Sequence, residues 1–178
     1  SVKNVVQNGA LVALSANQFG TNYDSVTGLY GYVPEPAATN LAANSDGNLA
    51  TYATYSGVAD GTAVTGFNNG IAYGDNSDIR YAYKQPTLTA AAAYTCSFFV
   101  IMDDGGAPVV GATPFLGDFS VILDGTFCSN ILVRSIGASV YRVSGSIASV
   151  TGGVARNCGV VKYATTHSAR TFRVTGIQ

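Results

Sequence analysis

The chain has 178 residues, of which 47% are hydrophobic and only 11% charged, with a net charge of −1 at pH 7. That length suits one domain with a real core, and the hydrophobic content excludes a disordered chain. Nine scattered Lys and Arg exclude the basic footprint that nucleic-acid phosphates require, and no run of about 18 apolar residues offers a membrane-spanning helix.

In chain order, Val5 to Phe19 is broken by Asn8, Gly9, Asn17 and Gln18 and lacks a charged leader, so it is not read as a signal peptide. The start at Ser1 is read as processing or as a piece of a longer protein. Ala10 to Ser15 reads as a first strand, and Leu29 to Val33 extends again after a turn-rich stretch. Pro34 and Pro36 hold Glu35 out of any helix or central strand. The loop Asn44-Ser45-Asp46-Gly47-Asn48 is followed by a strand over Leu49 to Tyr55 and a turn at Asp60-Gly61.

Ile79 to Lys84 alternates, with Ile79, Tyr81 and Tyr83 on one face, read as core, and Arg80, Ala82 and Lys84 on the other. Ala90 to Ala93 has no amphipathic continuation and is not a helix. Tyr94 to Met102 is the strongest strand and stops at Asp103-Asp104-Gly105-Gly106. Phe119 to Leu123, Ile131 to Ile136, Ser139 to Val150, Gly159 to Ala164 and Thr171 to Ile177 complete the set. About ten strands with short turns predict an all-β antiparallel β-sandwich of jelly-roll type. It forms a single domain over 1–178, with 1–43 as an N-terminal arm or outer layer and 44–178 as the sandwich core.

Chemistry is sparse. Cys96, Cys128 and Cys158 form no C-x-x-C pair and make no familiar zinc spacing with the single His167. They read as small buried hydrophobes, with a Cys128–Cys158 bridge as the open alternative. No Gly-x-Ser-x-Gly elbow is present, and His167 between Thr166 and Ser168 reads as a solvated surface residue. Nine of the ten acidic residues are Asp, mostly in apparent turns, so the carboxylate pair of a glycosidase is not legible. Asp75-Asn76-Ser77-Asp78 and Asn44-Ser45-Asp46 place oxygens close together, but Asx-turns account for both. The expectation is a non-enzyme without metal or cofactor.

Eleven Tyr and no Trp leave tyrosine as the ring on which a sugar could stack, with Asp and Arg available to bond its hydroxyls. Tyr30, Tyr32, Tyr52, Tyr55 and Tyr73 lie near predicted loops and are the exposed candidates. Asp75, Asp78 and Arg80 are their polar neighbours.

Two sets of segments carry a resemblance. The first is Tyr23-Asp24-Ser25-Val26-Thr27-Gly28 followed by the run from Gly31 to Leu41, which ends in Thr39-Asn40-Leu41. The second comprises Tyr94 to Val100, Val140-Tyr141-Arg142-Val143, and Thr171 to Gln178. In order and spacing these resemble bacteriophage tail-fibre and tailspike domains of carbohydrate-binding-module type, over about Ala10 to Gln178. The resemblance implies a jelly-roll sandwich, often a homotrimer, carried on a virion assembled in the host cytoplasm. It supplies no catalytic residue. Gly28, Asn40 and Gly176 then read as structural punctuation, and Glu35 as a carboxylate anchoring the N-terminal segment. The expected function is receptor recognition through host-surface polysaccharide. The alternative is a structural virion protein, a capsid decoration or fibre-capping trimer packed against other virion subunits, and a mean hydropathy of +0.23 favours such burial.

Overall fold

The computed structural model describes residues 41–42, 47–61, 69–75, 79–112, 116–163 and 165–178, together with the backbone of four strands before them. Those four are β1 (Lys3–Gln7), β2 (Ala10–Leu14), β3 (Thr21–Asp24) and β4 (Leu29–Tyr32). They pair as two hairpins, β1 with β2 and β3 with β4. Glu35, Gly28 and Asn40 lie outside the described residues.

Twelve further strands follow: β5 (Thr54–Ser56), β6 (Ala59–Asp60), β7 (Ile71–Tyr73), β8 (Ile79–Lys84), β9 (Tyr94–Met102), β10 (Val110–Gly111), β11 (Phe119–Leu123), β12 (Thr126–Phe127), β13 (Asn130–Gly137), β14 (Val140–Ile147), β15 (Cys158–Tyr163) and β16 (Phe172–Thr175). They form two sheets packed as a sandwich. Sheet I runs β10-β11-β15-β8-β5, with β12 paired to β11, and sheet II runs β13-β14-β9-β16-β7-β6. Among the described residues, all pairings are antiparallel except β10 with β11. The all-β sandwich expected from periodicity is therefore what the chain forms.

The core is a chain of rings between the sheets. Phe98 and Phe172 from sheet II meet Phe119 from sheet I, with centroids 6.0 Å and 4.7 Å from it, and Tyr73 stacks on Phe172 at 4.8 Å. Offset and tilted contacts of this kind add to the burial of large apolar surface. The Tyr73 hydroxyl crosses the sandwich and donates to the Val160 carbonyl at 3.3 Å. Cys96, Cys128 and Cys158 are all buried and free, so no Cys128–Cys158 bridge forms. Burial pushes the Cys128 thiol up to about 12, which makes it inert. Gly145 leaves room for Cys128, since a side chain there would lie 2.7 Å from its Cβ. Gly176 turns the chain at φ +67°.

Two expectations fail locally. Leu49–Thr51 is a 3₁₀ turn rather than strand, capped by Asn48, whose side chain accepts from the Ala50 amide; only Thr54–Ser56 extends. The faces of β8 are inverted, with Arg80, Ala82 and Lys84 buried and Ile79 41% exposed. Ala82 and Val160 are the small inner residues beneath the ring layer, so their neighbours on that face must be inner as well. The long stems add apolar surface to the inner face, and the Lys84 ammonium is satisfied there by the Thr51 carbonyl and hydroxyl.

Candidate functional site

Of the eight candidate residues, three are corrected. Tyr52 (6% exposed), Tyr73 (1%) and Arg80 (1%) are buried and present no surface to a ligand. Tyr52 lies under the Lys84 ammonium, 4.0 Å from its ring centroid, and that ammonium donates to the Thr51 carbonyl and hydroxyl at 2.8 and 2.7 Å. Tyr73 belongs to the ring core. Arg80 faces inward opposite Lys162. Tyr55 and Asp75 are exposed, but one lies in sheet I and the other follows β7 of sheet II. Tyr30 and Tyr32 lie in β4, where only the backbone is described, and Asp78 lies outside the described residues.

The ionic groups at the sandwich ends hold loops together. Arg170 grips Asp104 with two bonds of 2.7 Å, a third of 2.7 Å reaches Asp118, and a fourth reaches the Ala107 carbonyl at 3.0 Å. Asp118 also accepts from Ser168 and from the Val109 amide. Arg170 and the Gly106 amide lower the Asp104 carboxyl to about 2. Arg156 pairs with Asp124, which also accepts from the Thr151 amide, and Arg173 reaches Asp103 at 3.3 Å.

His167, expected to be solvated, is buried at 6% exposure. Its Nδ1 accepts from the Tyr163 amide at 2.8 Å. That bond puts the proton on Nε2, which then donates to Ser120 Oγ at 3.1 Å. A nucleophilic serine needs the opposite arrangement, with the imidazole accepting from it. Burial lowers the His167 pKa further.

The outer faces of the two sheets differ. On sheet I, Tyr81 and Tyr83 stack at 4.8 Å and Phe127 meets Tyr163 at 6.5 Å. With Ile122 and Val161 these rings form a second apolar cluster. The outer face of sheet II carries a row of polar groups beside Leu132, Phe99, Ile101 and Val140. Register sets Asn130 opposite Ser146 and Ser146 opposite Thr95, then Leu132 opposite Ser144 and Ser144 opposite Ser97, then Arg134 opposite Arg142 and Arg142 opposite Phe99. Thr95 and Ser146 share a hydrogen bond of 2.8 Å. Arg134 and Arg142 are exposed and make no ion pair among the described residues.

Arg134 and Arg142 escaped the sequence reading because their alignment depends on a hairpin with a bulge. The Ala138-Ser139 turn has φ of +49° and +60°, the mirror-image turn usually filled by Asn-Gly. Gly137 pairs with Val140, but Ser135 pairs with Tyr141, leaving Ile136 as the extra residue. Without that bulge the strand would slip by one and turn Arg134 inward, opposite Val143.

A cleft of about 50 Å³ is lined in part by Leu41, Leu88, Tyr94 and Cys158 and has room for a few waters. Among the described residues, no group of three His, Cys, Asp or Glu is arranged to hold a metal. Compared with known proteins, the chain matches no family model, no curated protein and no solved structure.

Proposed function

We propose that the chain is a non-catalytic binding module of a virion surface or tail fibre, with jelly-roll winding and trimeric assembly, that engages host-surface carbohydrate. The observation that carries this reading is the outer face of sheet II. There hydroxyl, amide and guanidinium groups stand in register beside Leu132, which is 48% exposed. Such a face offers hydroxyl-bonding partners and an apolar contact together, on a rigid scaffold. The fates of the ionic groups support binding over catalysis, because Asp104, Asp118, Asp124 and His167 all hold loops or strand ends. The sequence resemblance supports the virion setting.

A second reading, the structural virion subunit, draws on sheet I. Its outer face combines exposed Ile79 with half-buried Tyr81, Phe127 and Tyr163, an apolar surface suited to a second copy.

A glycan array of host-surface polysaccharides tests the first reading. The expected result is binding without shortening of the polymer. Shortened chains would establish an enzyme instead. Absence of binding together with a stable oligomer by light scattering would establish the structural subunit.

A further inference from the structure

We infer that Arg134 and Arg142 form an oxyanion-binding pair, and that the glycan taken by this face is an acidic polysaccharide whose sugars carry carboxylates. This inference rests on the carbohydrate-binding reading above.

Three observations converge on the pair. The two guanidinium groups project from directly opposite positions on β13 and β14, and like charges so placed repel one another. The other arginines of the sandwich ends, Arg156, Arg170 and Arg173, each hold an aspartate; these two hold none among the described residues. The bulge at Ile136 is what brings Arg134 to the outer face, and it does so while leaving Leu132 exposed. Bulges of this sort re-aim side chains at functional sites.

The chemistry of the ligand follows from the same groups. The planar fork of a guanidinium matches a carboxylate with two parallel hydrogen bonds, and an oxyanion between two such forks removes their repulsion. Ser144, Ser146, Thr95 and Asn130 continue the face as neutral donors and acceptors. With Arg134 and Arg142 as the exposed cations among the described residues and a net charge of −1, the surface fits a chain of hydroxyl-rich sugars with spaced charges, rather than a dense polyanion.

Titration calorimetry at low salt, using polygalacturonate, its fully methyl-esterified form and inorganic polyphosphate, tests the inference. The chain should bind polygalacturonate, bind the ester much more weakly, and lose affinity as salt rises. The R134A/R142A double variant should bind polygalacturonate at least roughly tenfold more weakly, and R134K/R142K should recover only part of that loss, since lysine keeps the charge but not the fork. The alanine variant should melt no lower than the parent, which separates lost binding from lost folding.

Equal binding of the acid and its ester, or undiminished binding by the double variant, overturns the oxyanion pair and leaves the carbohydrate reading standing. Tighter binding of polyphosphate than of polygalacturonate marks a general anion patch and overturns the glycan assignment. Binding of no glycan, neutral or acidic, removes both.

Discussion

The two outer faces of the sandwich teach different lessons about the same rule of alternation. Sheet I is inverted relative to simple expectation. Its inner face carries Arg80, Lys84 and Lys162, all nearly or fully buried, while its outer face carries Tyr81, Tyr83, Val161 and Tyr163. Sheet II is more conventional, with Phe98, Val100, Phe172 and Val174 inside and hydroxyls and arginines outside, beside Leu132, Phe99 and Ile101. Cations can line a core when their stems are apolar and their heads find partners, as the Lys162 ammonium does at the Arg170 carbonyl, 2.6 Å away. Rings can line an outer face when they cover one another. On this account sheet I spends its outer surface on stability, and the proposed ligand takes the polar row of sheet II.

The sharpest way to break the contrast is to cut into the sheet I face. Tyr83 is 9% exposed and stacks on Tyr81. Tyr83→Ala should lower the unfolding free energy by about 3 kcal/mol, measured by urea denaturation. A loss under about 0.5 kcal/mol would mean that this face contributes little to folding.

The His167 loop, folded over the same sheet, gives a pH signature. Its pKa is lowered from the ordinary 6.5, burial being the largest cause, so the unfolded chain takes up the proton first. Stability should therefore be level above about pH 6.5 and fall as pH drops below that value. The fall should begin well before Asp104, held at about 2, gives up its contribution below about pH 4. His167→Gln should flatten the decline between about pH 6.5 and 5 in thermal melts; an unchanged slope there would remove His167 as its source.

Sheet II should respond weakly or in the opposite direction. Ser139 sits at φ +60°, where glycine carries no steric penalty. Ser139→Gly should thus raise stability by about 1 kcal/mol, and a loss of stability would show that the hydroxyl matters to the turn. The smallest effect is expected for Arg142→Thr, which relieves like-charge repulsion on a β-favouring residue and should raise stability by a few tenths of a kcal/mol. A clear decrease would mean that Arg142 is already satisfied within the fold.

The sandwich was legible because strand alternation and turn residues are local signals, and Tyr94 to Met102 carries both. The in-or-out assignment of β8 was not. Ile79-Arg80-Tyr81-Ala82-Tyr83-Lys84 alternates cleanly, but rings and cations each have apolar bodies, so only the packing of Ala82 against the ring layer decides the face. Tyr52 and Tyr73 looked exposed because they flank loops, whereas proximity to a loop says nothing about which way a ring points. The arginine pair had a faint signature, since Arg134 and Arg142 stand symmetrically about Ala138. An Ala-Ser pair does not announce a hairpin, however, and a one-residue bulge cannot be read from spacing.

The central claim, that the polar outer face of sheet II is the binding surface, is tested most directly by amide and arginine side-chain NMR shifts during titration with polygalacturonate. The account predicts shifts concentrated at the Arg134 and Arg142 side chains and along 130–146 and 95–99, with Tyr81, Tyr83 and Tyr163 unmoved. Shifts centred on those tyrosines, with the two arginines silent, would contradict it.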